Sequence, residues 1–394
     1  MNNVYIIEAK RTPIGSFLGN LSGLSATQLG ATAIGEIIHT VGIEPAQIDS
    51  VYMGNVLSAN LGQAPARQAS IGAGIPNQTD CTTINKVCAS GLKATIIGAQ
   101  QIQLGFEDLV ITGGMESMSH VPHYQPLRQP FKLGDRSVVD GLLKDGLTDA
   151  FDHFHMGHAA EFCASQYQIS REQQDQYALS SYAKAAKATQ EQKFKREIIP
   201  ITIKNKNTEL CIDTDEDIDK LIPEKVSKLP PAFIENGTIT AANASNLNDG
   251  AAAILLASDQ AVARHNLKPL ARIISYADAA QDPKWFTTAP SVAIQKALQK
   301  AKLSIDEIDF FEINEAYAVV VMAHQKILNI PASKINPYGG AVAMGHPLGA
   351  SGARILCTLI SVLKQENQKY GLAAICNGGG GATAMIIENI KSVK

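Results

Sequence analysis

The chain has 394 residues, 45% hydrophobic and 18% charged, a balance that suits a well-buried globular protein and excludes a disordered one. A formal net charge of -3 and a pI near 6.3 offer nucleic acid no basic field, and no apolar run approaches the roughly 20 residues of a membrane helix. Six cysteines, scattered without short paired spacings, read as reduced thiols and not as a disulfide framework.

The opening MNNVYIIEAKRTPIG has no long apolar core of a secretory signal, and the closing KSVK is neither a peroxisomal nor a retention address, so a soluble cytoplasmic chain is expected. The length implies two or three packed units. Val4 to Ile7 is a short apolar strand pattern. Ser25 can cap a helix on which Leu29, Ala33, Ile34, Ile37 and Ile38 recur with helical period. Val51 to Val56 then reads as strand, 64 to 73 as helix, and Cys81 to Ile84 as strand. A helix follows Cys88, and a strand from Leu109 to Thr112 is expected to end at Gly113-Gly114. Strands separated by helices imply crossover connections and a largely parallel sheet.

From about Met115 to Ser245 the texture changes to loops rich in Pro, His, Gly and Asp around two helical stretches, the second with a capping-box start at Ser170 and Gln173. This reads as a long insertion of the kind that carries binding loops. Ala251 to Ala257 returns to a buried-strand pattern. The last third alternates again: strand 271 to 276, helix 291 to 302, strand 309 to 313, helices 316 to 328 and 350 to 364, strands 372 to 376 and 382 to 387. One echo suggests duplication. Ala89-Ser90-Gly91 and Ala350-Ser351-Gly352 each open a helix that leads to a glycine-ended strand, and either small-residue face can pack closely on a neighbour.

Four segments carry chemistry. Cys88, in NKVCASGLKA, precedes a helix whose positive N-terminal end is expected to lower a thiol pKa. Asn314, in NEAYA, is either a plain helix N-cap or a polar site residue. His346 sits on the broken backbone of GGAVAMGHPLGASG, a poor place for a core histidine. Cys376 runs into Gly378 to Gly381, where no Cβ keeps a substrate from the backbone. Acyl transfer needs a nucleophile whose adduct stays activated, and carbon–carbon bond formation beside a thioester also needs a base and oxyanion sites. Cys88, Cys376, His346, Asn314 and the Gly378 N–H can fill those roles. His153, His155 and His158 have metal-like spacing, but no Cys, Asp or Glu nearby completes a zinc pattern, so no metal is assigned. The glycine run lacks the following helix of a dinucleotide or phosphate loop.

Taken over nearly its whole length, from AKRTPIG to CNGGGGATA, the chain resembles the thiolase family, closest to its short-chain branch. The motifs that carry the likeness are NKVCASG, GGMESMS, DGLTDAF, HMG, TAANAS, LNDGAAA, NEAYA and GGAVAMGHPLGASGAR. The resemblance implies an α/β fold of thiolase type, a five-layered α-β-α-β-α core built from two similar halves with an inserted loop domain. Its implied units are 1–118 plus 246–268, the insertion 119–245, and 269–394. It implies reversible condensation of two acetyl-CoA to acetoacetyl-CoA plus CoA, with no cofactor required, coenzyme A being part of the substrate.

By the same resemblance Cys88 is the acetylated nucleophile. His346 activates it and helps hold one oxyanion, Asn314 fixes a water there, and Cys376 is the acid/base. The N–H groups of Cys88 and Gly378 form the second oxyanion hole. Leu147, His155, Met156, Phe233, Ala244, Ser245 and Leu247 fall where relatives line the pantetheine and acyl channel, and the bulk of Met156 is expected to favour C4–C5 substrates. Tyr317 stands where relatives commonly have Phe. In the poorly matching stretch 205 to 228, Lys220 and Lys225 are either phosphate contacts or solvated surface lysines. TAANAS and the CNGGGGA ending resemble a branch in which potassium binds, which would put an ion near Tyr182, Ala241, Ala242, Ala244 and Val342. The family is usually tetrameric through the region around 119 to 145. The rivals are a broad-range 3-ketoacyl-CoA thiolase of fatty-acid breakdown, a decarboxylating ketoacyl-synthase type enzyme, which Cys376 argues against, and a silent acyl-CoA-binding protein.

Overall fold

A computed structural model describes residues 2–390 apart from 129, 131, 206 and 207; the closing KSVK and two positions within 205 to 228 therefore lie outside the described residues. The chain opens with β1 (Val4–Arg11), β2 (Gly15–Ser16), α1 (Ala26–Val41), β3 (Ser50–Gly54), α2 (Pro65–Gly72), β4 (Asp80–Ile84), α3 (Ser90–Leu104) and β5 (Leu109–Ser117). The next stretch holds β6 (His123–Tyr124), β7 (Val139–Asp140), α4 (Met156–Gln166), α5 (Arg171–Gln190), β8 (Ile201–Asn205) and β9 (Thr208–Ile212). The chain then returns as β10 (Asn248–Ser258) and α6 (Asp259–Arg264). The final third is β11 (Ala271–Ala280), α7 (Ala289–Ala301), β12 (Phe310–Ile313), α8 (Ala318–Leu328), α9 (Ala341–Met344), α10 (Leu348–Gln365), β13 (Tyr370–Asn377) and β14 (Gly381–Asn389).

Local chemistry sets the helix ends. The Ser25 hydroxyl accepts from the Gln28 N–H while the Gln28 side chain accepts from the Ser25 N–H, and Gly42 closes α1 at φ 69°. Ser170 and Gln173 start α5 in the same way. The sheet departs from the expected parallel one. Its order is β12-β13-β14-β11-β1-β10-β5-β3-β4, with β2 beside β10, and it is mixed. Among the described strands of this sheet, only β3 with β4, β3 with β5 and β12 with β13 pair in parallel. The central pairs β5/β10, β10/β1, β1/β11, β11/β14 and β14/β13 are antiparallel. The cause is chain routing: after the long excursion β10 runs back between β1 and β5, and a tight turn joins β13 to β14. Crossovers survive only toward the two ends of the sheet.

The expected strand end at Gly113-Gly114 is not observed, since β5 continues to Ser117. Those glycines answer to close neighbours. A Cβ on Gly113 would lie 2.1 Å from the Ala252 carbonyl oxygen, and one on Gly114 would lie 2.0 Å from that of Gly349.

Three cores organise the layers. Leu29, Ile34 and Ile37 of α1 pack with Val51, Met53, Ile111 and Leu255 of one half. Ile294 and Ala297 of α7 pack with Phe311, Leu372 and Ile386 of the other. Between them α3 and α10 share a core of Leu92, Ile96, Leu356, Leu359, Ile254, Ile375 and Met385. The two helices touch at the echoed glycines: a Cβ on Gly91 would sit 2.8 Å from the Ala353 nitrogen, and one on Gly352 would sit 2.4 Å from that of Leu92. Crossing near their starts, α3 and α10 bring both N-terminal ends, one just after Cys88 and one just after His346, to the same region.

Candidate active site

β4 ends at Ile84, and Cys88 follows on a tight elbow before α3. Val87 lies at φ 47°, a left-handed conformation that is strained for a β-branched residue. The strain is held by a closed set of bonds. The Asn85 side chain accepts from the Val87 N–H at 3.0 Å, and the Lys86 N–H donates to the Ser90 hydroxyl at 2.8 Å. That hydroxyl donates in turn to the Val87 carbonyl at 2.6 Å.

The elbow sets the Cys88 thiol on the wall of a cavity of about 350 Å³. Contrary to the helix-end expectation, burial pushes the thiol pKa up to about 12. The N–H groups of Gly378 and of Cys88 itself oppose that rise by donating toward the sulfur. Burial is the larger effect, so the expected lowering is not observed. The C-terminal glycines also have another reason than the one expected. Gly379 and Gly380 lie at φ 80° and 83°, and a Cβ on Gly380 would come within 2.2 Å of the Gln281 carbonyl, so turn geometry and packing require them.

His346 is 4% exposed, and its N–H donates to the Asn248 side chain at 2.9 Å. Nδ1 lies 2.6 Å from the Ser351 hydroxyl, whose own hydrogen goes to the Pro347 carbonyl at 2.9 Å. Ser351 can therefore only accept from the ring, which puts the proton on Nδ1 and leaves Nε2 bare. Burial lowers the His346 pKa to about 3, with Arg354 contributing, so the ring is neutral at rest. Nε2 lies 3.4 Å from the Asn314 Nδ2, and the buried Asn314 Oδ1 has no partner among the described residues. The N-cap of α8 is Tyr317, so Asn314 is not serving as the helix cap.

Cys376, at the end of β13, is 1% exposed, and burial raises its pKa, with the neighbouring Cys88 adding to the rise. It packs in one apolar cluster with Met156, Ala244 and Tyr317, which line the cavity. Cys88, His346 and Gly378 line this cavity, while Cys376 adjoins it through its cluster with Met156 and Tyr317 and Asn314 through the His346 ring.

Leu147, His155, Met156, Phe233, Ala244, Ser245, Leu247 and Tyr317 all line this cavity. His155 caps α4 by accepting from the Gly157 N–H at 3.0 Å and stacks on Phe233 at 4.6 Å, while His153 is exposed. A second cavity of about 530 Å³ shares Ala241, Asn246 and Leu247 with the first and is lined by Tyr182, Ala242, Lys220 and Lys225. Lys220 is engaged by Glu216 and Asp217, each at 3.3 Å, and by Ser16. The five residues of the suggested ion set divide between these places: Ala244 lines the first cavity, and Val342 packs with Tyr182 in a separate buried cluster.

Sequence reasoning missed Ser351 and Asn248, the two anchors of His346. Ser351 stands five residues beyond the histidine, inside the helix-opening echo, where a pattern of small residues points to packing and hides a hydrogen-bonding role. Glu116 was also missed. This buried carboxylate accepts from the Asn55 side chain and from the N–H groups of Val56, Leu57 and Gly349, tying β5 to the start of α10. Burial pushes its pKa up to about 7.

Comparison with known proteins gives a consistent picture. The family model for the thiolase N-terminal domain matches residues 4–260, and that for the thiolase C-terminal domain matches 267–389. Among curated relatives, a protein named cytosolic acetyl-CoA acetyltransferase ERG10 from Gibberella zeae is 50% identical over 391 residues, covering 98% of each chain. Acetyl-CoA acetyltransferase 2 from Arabidopsis thaliana is 51% identical, covering 98% of this chain and 97% of its own. Among solved structures, the Acat5 thiolase of Ascaris suum in complex with coenzyme A superposes with a TM-score of 0.93 at 46% identity, over 98% of this chain and 100% of that one. The acetyl-CoA acetyltransferase of Bacillus anthracis gives a TM-score of 0.96 at 38% identity, over 99% of each.

Proposed function

The chain belongs to the thiolase family, and we propose that it is an acetyl-CoA C-acetyltransferase that makes acetoacetyl-CoA and CoA from two acetyl-CoA, or runs the reverse thiolysis, through acetyl-Cys88. The observation that carries the reading is the convergence of the Cys88 sulfur, the Gly378 N–H and the His346 ring on one apolar cavity, with Cys376 next to Cys88.

At rest the thiol and the imidazole are both neutral. The bare Nε2 of His346 takes the Cys88 proton as sulfur attacks the thioester, so the ion pair exists only where the transition state needs it. CoA leaves with the proton of Cys376, so acetyl-Cys88 remains beside a Cys376 thiolate and a protonated His346. That thiolate removes an α-proton from the second acetyl-CoA, the carbanion attacks the acetyl carbonyl, and the adduct collapses to acetoacetyl-CoA as the Cys88 sulfur leaves and takes its proton back from His346. The N–H groups of Cys88 and Gly378 hold the oxyanion on that carbonyl. His346 and an Asn314-bound water hold the thioester enolate, a role supported by the orphan Asn314 Oδ1. The eight cavity residues from Leu147 to Tyr317 hold the acyl and pantetheine parts. A potassium ion near Tyr182, Ala241, Ala242, Ala244 and Val342 belongs to this reading by family likeness.

The five-layered architecture with two similar halves is supported by α3 and α10 lying between the outer packing of α1 and α7. The division into 1–118 plus 246–268, 119–245 and 269–394 is supported by β10 completing the first half after the excursion. A homotetramer joined through residues 119 to 145 is supported by the exposure there of Leu127, Leu133 and Val138. A cytoplasmic site of action is supported by the relative named cytosolic.

The test is mass spectrometry of the protein after brief exposure to acetyl-CoA, with peptide mapping. The peptide containing Cys88 should gain one acetyl group, and Cys88→Ala should gain none. Cys376→Ser should still acetylate while condensation falls by about a hundredfold or more. Acetylation elsewhere, or full condensation by Cys376→Ser, overturns the assignment.

A further inference from the structure

Cys88 and Cys376 belong to different halves of the fold, so some contact between the halves must set their spacing. The hydrogen bonds around Val87 are local: they tie the elbow to its own helix, and Asn85 reaches only as far as the Val56 carbonyl of the same half. Lys86, two residues before Cys88, reaches further. Its ammonium is bound by Asp278 Oδ1, by the Thr383 hydroxyl at 2.8 Å and by the Ala382 carbonyl at 3.2 Å. Ala382 is the direct cross-strand partner of Cys376, and Thr383 that of Ile375. Asp278 faces Thr383 from β11 and also accepts from its hydroxyl at 2.8 Å. The nucleophile's loop is therefore bonded to the very rung of sheet that carries the other thiol. The second Asp278 oxygen takes Lys93, in the first turn of α3, at 2.7 Å. Burial alone would raise the Asp278 pKa, but the two ammonium groups hold it near about 2, so it stays ionised.

Building on the roles assigned above to the two thiols, we propose that the Lys86–Asp278 pair is a positioning device that fixes the separation of Cys88 from Cys376. Carbon–carbon bond formation needs the Cys376 thiolate placed at the α-carbon beside acetyl-Cys88, whereas acetylation joins the substrate to Cys88 beside His346 and asks of Cys376 only a proton for the departing CoA, which solvent can also give. Loosening the pair should therefore damage condensation more than acetyl transfer.

The experiment compares two rates in each variant: exchange of labelled CoA into acetyl-CoA, and condensation of acetyl-CoA. Lys86→Met should lower condensation kcat by about tenfold to a hundredfold, the scale of an ångström-level misplacement, while exchange changes little. Lys86→Arg, which keeps charge and reach, should restore most of the loss. Asp278→Asn, nearly isosteric, should reproduce the split even if Lys86→Met fails to fold. Lys93→Met, which leaves Lys86 on Asp278, should keep the wild-type ratio. Equal falls in both rates that follow a lowered melting temperature would make the pair merely structural and overturn the inference, as would no change in either rate. If the wild-type protein itself shows no exchange and no acetyl-Cys88, the proposed function fails instead.

Discussion

His346, the proton acceptor of the proposed mechanism, shows how burial of a single group bears on acid stability. Folding holds its pKa near about 3, while an unfolded histidine titrates near 6.5. As pH falls through that window the unfolded chain takes up a proton that the folded chain refuses, so this group makes the fold less stable on acidification. His324, also lowered to about 3 by burial, acts in the same direction. Glu116 and Glu312, raised to about 7 and about 8, act in the opposite one, since the fold keeps their protons where the unfolded chain has lost them. The whole-protein curve mixes these signs, so the readout is a difference. Relative to wild type, His346→Gln should gain about 1.4 kcal/mol of stability for each pH unit lowered between roughly 6.5 and 3. Urea midpoints from pH 6 to 4 check this, and parallel wild-type and variant curves would contradict it.

The two helices that meet at glycine make the site possible as elements. Because α3 and α10 cross within one Cβ of each other, the residues just before them, Cys88 and His346, reach a common cavity. Gly352→Ala would place a Cβ 2.4 Å from backbone that cannot yield, and should destabilise the protein by about 1–3 kcal/mol while lowering acetylation of Cys88. Gly35 on α1 has nothing within 4 Å of such a Cβ. There Ala should stabilise by about 0.5–1 kcal/mol through helix propensity alone. Denaturant unfolding of the two variants measures opposite signs if packing, and not glycine flexibility, explains the crossing.

The cavity belongs to the molecule as a whole. Val87 and Met118 come from the first half, His155, Met156 and Phe233 from the excursion, and Tyr317, His346 and Gly378 from the last third. The excursion is held down by Arg11 of β1, whose buried guanidinium meets Glu197 at 2.7 Å and Asp215 at 2.7 and 2.9 Å, with Thr358 of α10 donating to Glu197 at 3.0 Å. Met156 lies beside Gly378, its sulfur 3.6 Å from where a Cβ would stand, and in the proposed reading it shortens the acyl pocket. Wild-type protein should cleave C4 ketoacyl-CoA much faster than C10. Met156→Ala should raise the C10-to-C4 ratio by about tenfold or more, the selectivity that a few methylenes carry. Thiolysis rates across chain lengths decide it, and an unchanged ratio would place the length limit elsewhere.

Much of this was legible in the chain. Hydrophobic period and capping residues located the helices, with Ser25 and Ser170 marking true starts, because those signals act over a few residues. The kinds of residue on which the proposed acyl-transfer chemistry rests could also be named directly. Pairing could not, because the antiparallel centre depends on β10 returning after more than a hundred residues, and no local pattern records which strands it will separate. Nor could the charge state of Cys88, where burial overrides the helix end, or the tautomer of His346, which hangs on one Ser351 hydroxyl. Side-chain chemistry is a local property written residue by residue; pKa, proton position and the meeting of two distant thiols are set by surroundings that exist only once the chain is folded.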